Sequence, residues 1–412
     1  MTMWTDALRA ISDGRARATP AMRNTVAAGW MVCLAACQTN PPAPTARLDA
    51  LPLDQAVAVA TDSLATQTQK LPAFLARIES LTKRTLLLDP SLDAATGQQT
   101  ALTHRFDQLV ADRLRARHAQ FDVLPFRRTS VARAQMLLVG SITRHEADRQ
   151  VFQLHLALLD LKSGAVVAQA SSRARDAGFD TTPTPYYRDT PVLLVKDRVV
   201  EGYLRTTQAS PGQPADAAYL QRVAAVATIQ EATGAYDAAR YQEALGLYRD
   251  AARDPAGEQM RALNGVYLTN WKLGHTVEAE QAFGQMVALG LANRALGVKF
   301  LFNPNSTEFW SDPKISGPYN LWLRQIARQA AAGQVCMDVI GHTSRTGSET
   351  YNDRLSAQRA AAIQRRLEQE APALAGRMKP SGVGYRENLV GTGTDDASDA
   401  LDRRVEFRIT GC

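Results

Sequence analysis

Three polar residues, Asn352, Ser356 and Arg359, stand four and three positions apart within the run Asn352–Leu367. Leu355, Ala360, Ile363 and Leu367 in the same run recur at spacings close to a helical period, which predicts a helix that buries them. The three polar side chains then share one face of its first two turns. Backbone N–H groups at a helix start favour an anion, and the planar guanidinium of Arg359 can grip a carboxylate with two parallel bonds. The constellation reads as a carboxylate receptor, with the hydroxyls of Thr343 and Ser344 supplied by the segment Gly341-His342-Thr343-Ser344-Arg345-Thr346-Gly347. Farther on, Asp402-Arg403-Arg404-Val405-Glu406 offers two more arginines; one, taken to be Arg403, is expected to border the site and the other to pair with an acid.

No other chemistry is assembled by spacing. The sequence holds no HExxH, GxSxG, Walker loop or strand-linked GxGxxG, and Gly391-Thr-Gly393 lacks the third glycine and a following helix. The six histidines, His104, His118, His145, His155, His275 and His342, are scattered, and the four cysteines form no CxxC pair or Cys/His ligand spacing. The expectation is a non-enzymatic chain with no cofactor and no metal. The net charge of +6 falls to +4 once Met1–Ala36, with four arginines and two aspartates, is set aside. An excess so dispersed is unlike the basic blocks of nucleic-acid binders, so nucleic acid is not an expected partner.

The elements that must position the receptor are legible from pattern. Val298-Lys-Phe300-Leu-Phe302 alternates, Leu321–Ala332 is amphipathic, Val335–Ile340 is a strand, and Val405-Glu-Phe407-Arg-Ile409 is a last alternating strand. With one more strand expected before the last, the order is β-α-β-α-β-β. Gly341-His342-Thr343-Ser344-x-x-Gly347, then Asn352-x-x-Leu355-Ser356-x-x-Arg359-Ala360, then Arg403-Arg404-Val405-Glu406 make about Leu296–Ile409 very similar to the OmpA-like peptidoglycan-binding domain. The resemblance implies that the carboxylate belongs to diaminopimelate of the peptidoglycan stem peptide, held between the motif's arginine and an aspartate that takes the ammonium group. Here the aspartate position holds Ser344. A charge-assisted contact of ~1.5 to 3 kcal/mol becomes a neutral one of ~0.5 to 1.5, which means weaker binding, a different stem peptide, or another acid, Glu349 or Asp353, swinging in.

At the other end, Met22 opens MRNTVAAGWMVCLAACQTN, a basic residue followed by an apolar stretch too short to span a bilayer of ~30 Å. Leu34-Ala35-Ala36-Cys37 resembles the lipobox of bacterial lipoproteins, which implies a signal peptide over residues 1–36, with a true start at Met22 as one reading, and acyl chains, palmitate among them, on Cys37. Gln38 resembles the outer-membrane pattern. Each buried CH₂ contributes ~0.8 kcal/mol, so several chains hold where one does not. Residues 37–58, with Asn40-Pro41-Pro42-Ala43-Pro44, are expected to be a linker.

Residues 59–209 are expected to form an α/β domain: a strand at Thr85–Leu88, a helix over Ala101–Arg117 with Leu102, Phe106, Leu109, Val110 and Leu114, a strand at Phe121–Leu124, then Met136–Ile142 and a hairpin turning at Lys162-Ser163-Gly164. Asp89-Pro90-Ser91-Leu92-Asp93 weakly resembles the periplasmic lipoprotein modules of the FlgO, CsgG and LpoB type. The Pro- and Thr-rich stretch Thr181–Pro191 and the breaker Ser210–Pro214 are expected to separate this domain from a helical region. Over residues 215–292, Ala239–Tyr248 and Gly274–Phe283 repeat 35 residues apart, with small Ala244 and Ala279 followed four positions on by Tyr248 and Phe283. This resembles the tetratricopeptide repeat, but two repeats are too few to stand alone and must lean on a neighbour. Residues 293–412 complete the chain.

Two functions are expected. One is an outer-membrane lipoprotein facing the periplasm that tethers the envelope, or an attached complex, to peptidoglycan. The other is an assembly or regulatory lipoprotein that recruits envelope proteins of a secretion, motility or wall-synthesis machine. In an oxidising compartment Cys336 and Cys412 are expected to form a disulfide if the second and last strands are antiparallel neighbours, and two unpaired thiols otherwise.

Overall fold

The computed structural model describes residues 50–68, 83–145, 148, 150–176, 178–193, 196–254, 260–303, 305–391, 393 and 398–412. The expected signal peptide, the lipobox-like segment with Cys37 and the Pro-rich run lie outside the described residues. The chain divides into two units, residues 1–47 and 48–412. The second unit is a mixed α/β structure whose C-terminal part is a distinct α/β sandwich. Among the described residues no helix is long and apolar enough to cross a membrane.

The first sheet is built from β1 (Arg84–Leu88), β2 (Leu92–Asp93), β3 (Phe121–Leu124), β4 (Met136–Arg144), β5 (Val151–Asp160) and β6 (Val166–Arg175), in the order β3-β1-β4-β5-β6 with β2 beside β4. β1 runs parallel to β3 and β4, while β4, β5 and β6 form an antiparallel meander. Helices α1 (Leu53–Thr68) and α2 (Ala101–Arg117) cover one face with Val57, Leu64, Phe106 and Val110. Thr100 caps α2 by accepting from the Thr103 N–H, one half of a reciprocal capping box. The opposite face buries Leu137, Val139 and Leu159 under α3 (Arg198–Gln208) and under Tyr219, Val223 and Val226. Burial on both faces explains why Met136–Ile142 is an unbroken buried run rather than an alternating one.

Two expected boundaries shift. The linker is shorter than residues 37–58, because Leu51 already pairs with Ala174 and α1 begins at Leu53. The α/β layer does not end at 209 either, since residues 215–226 supply part of the sheet's second cover.

Next come two helical hairpins, α4 (Val223–Asp237) with α5 (Tyr241–Arg253) and α6 (Met260–Lys272) with α7 (Thr276–Ala292). The repeated segments fall on α5 and α7, where Ala244, Tyr248, Ala279 and Phe283 are all buried. Gly265 of α6 is required by a close approach: a Cβ there would lie 2.3 Å from the Tyr248 ring. The hairpins do not close a core of their own. Phe283 stacks on Trp322 at 5.7 Å, and one apolar cluster runs on into the C-terminal part.

That part contains β7 (Leu296–Val298), α8 (Tyr319–Ala332), β8 (Cys336–Gly341), α9 (Glu349–Glu370), β9 (Met378–Gly382) and β10 (Val405–Thr410), the β-α-β-α-β-β order. The sheet order is β7-β10-β8-β9, with β10 antiparallel to β7 and β8 and β9 parallel to β8. The first strand is earlier and shorter than the alternation Val298–Phe302 suggests: it stops at Val298, and Phe302 instead pairs across a loop with Phe309. The open edge of β7 is covered from a distance. Leu193 donates its N–H to Gly297 O at 2.7 Å and Lys299 donates its own to Pro191 O at 2.8 Å, so the end of the Pro- and Thr-rich stretch pairs with the sheet.

Candidate functional site

The loop from β8 into α9 carries Thr343 and Ser344, and α9 carries Asn352, Ser356 and Arg359; all five are buried. Glycines bring these elements together. Gly341 and Gly382 are partners across β8 and β9, and a Cβ on either would sit 2.1 Å from Ser356 O or 2.2 Å from Ala357 N. The helix therefore presses directly on the strand ends.

The closeness gives Ser356, which the sequence offered as a ligand contact, partners within the domain. Its Oγ donates to Asp353 O and accepts from the Gly384 N–H, both at 3.0 Å. It ties the loop at Gly384 to the helix. Asn352 is likewise engaged, its Nδ2 donating to Thr346 O at 2.9 Å and Ser348 O at 3.1 Å, so it fastens the loop to the helix start. The helix begins three residues earlier than the sequence pattern suggests, with Ser348 as its N-cap. Arg359 thus lies in the third turn, beyond the first-turn N–H groups that were expected to share its anion.

Arg359 is 8% exposed. Its Nε donates to Ser306 O at 3.2 Å and its Nη2 points to Asn303 O at 3.4 Å, while the guanidinium lies 4.9 Å over the Phe302 ring. The loop after β7 therefore covers it, and Tyr351 of α9 donates to Asn305 Oδ1 on the same loop. Main-chain carbonyls of this loop are among the partners of the charged donor.

Glu349 and Asp353, the acids that could replace a missing aspartate, are both taken. Arg386 Nη1 contacts Asp353 Oδ1 at 2.6 Å, Oδ2 at 2.7 Å and Glu349 Oε1 at 3.2 Å. Sequence reading missed Arg386, because it stands in a loop with no periodicity to mark it.

Of the two arginines before β10, Arg404 is the buried structural one. Its Nε donates to Glu406 Oε1 at 2.7 Å, and its Nη atoms donate to Leu401 O and Glu387 O. Arg403 is half-buried beside it. Asp402 holds the preceding loop by accepting from the N–H groups of Leu389, Val390 and Gly391. Ligand atoms of His342, Glu387 and Glu406 lie within 4.8 Å of one another, a grouping of metal-ligand types. Arg404 already donates to one of those carboxylates. His342 is buried and pushed down to about 4 by loss of solvent and by Arg404, so its imidazole is neutral.

Cys336 and Cys412 are joined by a disulfide, their Cα atoms 5.2 Å apart, beside the pair Thr410–Cys336 of β10 and β8. It lies at the end of β8 remote from Thr343 and Ser344.

Against known proteins, the profile of the OmpA family matches residues 301–401. Those residues are an OmpA family domain. No curated protein matches the chain. Among solved structures, the domain is similar to the peptidoglycan-associated lipoprotein from Burkholderia pseudomallei, with 24% identity over 27% of this chain and 88% of that one and a TM-score of 0.24. The cell wall anchor of the T6SS from Pseudomonas aeruginosa matches with 22% identity over 28% and 80%, TM-score 0.24. A putative MotB like protein from Desulfovibrio vulgaris matches with 18% identity over 33% and 96%, TM-score 0.25. The buried guanidinium, its loop and the Gly341–Gly347 turn all belong to the OmpA domain.

Proposed function

We propose that the chain is an outer-membrane lipoprotein, anchored through Cys37 and facing the periplasm, that binds peptidoglycan non-covalently through its OmpA domain and tethers the envelope to the wall. It acts by binding and not by catalysis. The observation that carries the reading is Arg359 of the OmpA domain, a buried guanidinium whose acceptors include two main-chain carbonyls of a loop. A carboxylate that displaces them gives the guanidinium a charged acceptor in place of neutral ones and can take two parallel bonds from it.

The test is pelleting of the full chain with purified peptidoglycan sacculi. Arg359→Ala removes most binding, and Arg359→Lys, which keeps the charge and loses the planar fork, lowers it several-fold. Because Arg359 also holds the 303–306 loop, each variant is checked for an unchanged circular dichroism spectrum. Native-like variants that pellet as wild type would refute the reading.

A further inference from the structure

We propose that His342, Glu387 and Glu406 form a binding site for a divalent transition-metal ion of the zinc class, which clamps the loop after β9 to the end of β8 and the start of β10. The site uses none of the residues expected to hold a wall ligand, so it stands or falls independently of that reading.

One nitrogen of His342 and one carboxylate oxygen from each of Glu387 and Glu406 lie within 4.8 Å of one another. They come from three segments remote in sequence: His342 follows β8, Glu387 stands in the loop after β9, and Glu406 is in β10. The fold enforces the meeting. Glu406 pairs with Ile340 across β10 and β8, and His342 donates its main-chain N–H to Arg404 O at 3.0 Å. Glu387 follows Arg386, which is fastened to Glu349 and Asp353 of α9, so its loop is held beside the strands.

The imidazole is the deciding observation. His342 is 1% exposed, and among the described residues neither of its ring nitrogens has a hydrogen-bond partner. A buried polar ring without a partner is costly and calls for a physical reason. Its Nε2 is 3.7 Å from Glu406 Oε1. That is too far for a hydrogen bond and close to the ~3.3 to 3.6 Å that ligand atoms keep in a tetrahedron with bonds of ~2.0 to 2.2 Å. An imidazole with two carboxylates suits zinc or a similar transition metal better than calcium, which takes about six to eight oxygens. Three protein ligands leave a fourth position for water. Arg404 Nε donates to Glu406 Oε1 at 2.7 Å. A carboxylate has lone pairs for more than one bond, so Arg404 orients this ligand as an outer partner does. Its positive charge also weakens the site, which makes the expected affinity micromolar.

The experiment is equilibrium dialysis of the EDTA-treated full chain against Zn²⁺, with Ca²⁺ and Mg²⁺ as competitors. Wild type is expected to show a micromolar site that Glu387→Gln weakens about 10-fold or more, at least what loss of an outer partner costs. Zn²⁺ at about 100-fold excess over Kd should raise the Tm by roughly 3 to 6 °C, and Glu387→Gln should lose that rise at the same concentration. Comparison with this variant subtracts any zinc held by the thiols of Cys33 and Cys37 or by other histidines. His342→Gln should abolish the site; because that ring is buried, Glu387→Gln, a change at an exposed side chain, keeps the test available if His342→Gln does not fold. The proposal is overturned if wild type binds no Zn²⁺, or if Glu387→Gln binds it as tightly and with the same rise in Tm. Ca²⁺ or Mg²⁺ displacing Zn²⁺ at equal concentration would overturn the assignment to the zinc class.

Discussion

Replacing Cys412 with serine should loosen the C-terminal sheet and spare the ligand face. The disulfide to Cys336 spans 76 residues of sequence, and a loop of that size gives an entropic stabilisation of about 4 kcal/mol. Cys412 is exposed, so the substitution removes the cross-link without opening a cavity. The bond fastens the start of β8 to the end of β10, whereas Thr343 and Ser344 follow the opposite end of β8. The thermal midpoint should fall by roughly 10 °C, while sacculus pelleting at room temperature stays near wild type. Scanning calorimetry of wild type, Cys412→Ser and reduced wild type measures the first effect, and the last two should coincide. A thiol reagent that labels both cysteines in native, unreduced protein would refute the reasoning, as would an unchanged midpoint in Cys412→Ser.

Asp89 is fully buried, accepts from the Tyr219 hydroxyl at 2.6 Å, and is pushed up to about 7 by loss of solvent. Between about pH 4 and 7 the folded chain keeps a proton that the unfolded chain has lost, so this group's stability is fully present below pH 4 and disappears as pH rises through 7. Asp89→Asn should flatten that fall, with a gain on the order of 4 kcal/mol near pH 8 in urea titrations; an equal loss at every pH would contradict it. Gly265→Ala should cost at least 1 to 3 kcal/mol, because the Tyr248 ring it meets is itself tied to Thr233 at 2.9 Å. Trp322→Ala should cost about 3 to 5 kcal/mol and lower the melting of helical hairpins and C-terminal sheet together, read by circular dichroism and by loss of sacculus binding in one transition. Cys37→Ser should release the protein as a soluble periplasmic species; retention with outer membrane in a wall-free preparation would disprove the acyl anchor.

Elements fixed by local period were readable in the sequence. Leu102, Phe106, Val110 and Leu114 mark α2, and Ala244 and Ala279 mark the two close helix approaches, because a single buried face imposes each spacing. What escaped depends on contacts between distant segments. Pro191 and Leu193 look like linker, yet their main chain closes the edge of β7. Arg359 was legible as a guanidinium on a helix face, but its burial depends on carbonyls of Asn303 and Ser306, which have no side-chain signature. The bond from Gly384 to the Ser356 hydroxyl was hidden for a related reason: it forms because Gly341 and Gly382 let the helix settle on the strands. Arg386 obeyed no pattern at all, and only the fold brings it to Glu349 and Asp353.

Two repeats are fewer than a solenoid needs to bury its faces, and the structure shows what completes them. Trp322 of α8 stacks on Phe283 and donates its Nε1–H to the Tyr267 hydroxyl at 2.8 Å, while Arg324 and Gln325 of the same helix both reach Glu280 of α7. Helix α8 therefore acts as the missing neighbour of the second hairpin while its other side packs under the C-terminal sheet. A bead-like arrangement would have let each part move on its own linker, with only its own surface to bury. Here the apolar cluster is shared from Tyr186 to Phe407, so the hairpins and the OmpA domain are stabilised by the same contacts. A displacement of α9 would therefore pass through α8 into the hairpins by packed side chains, so these parts are expected to move as one body.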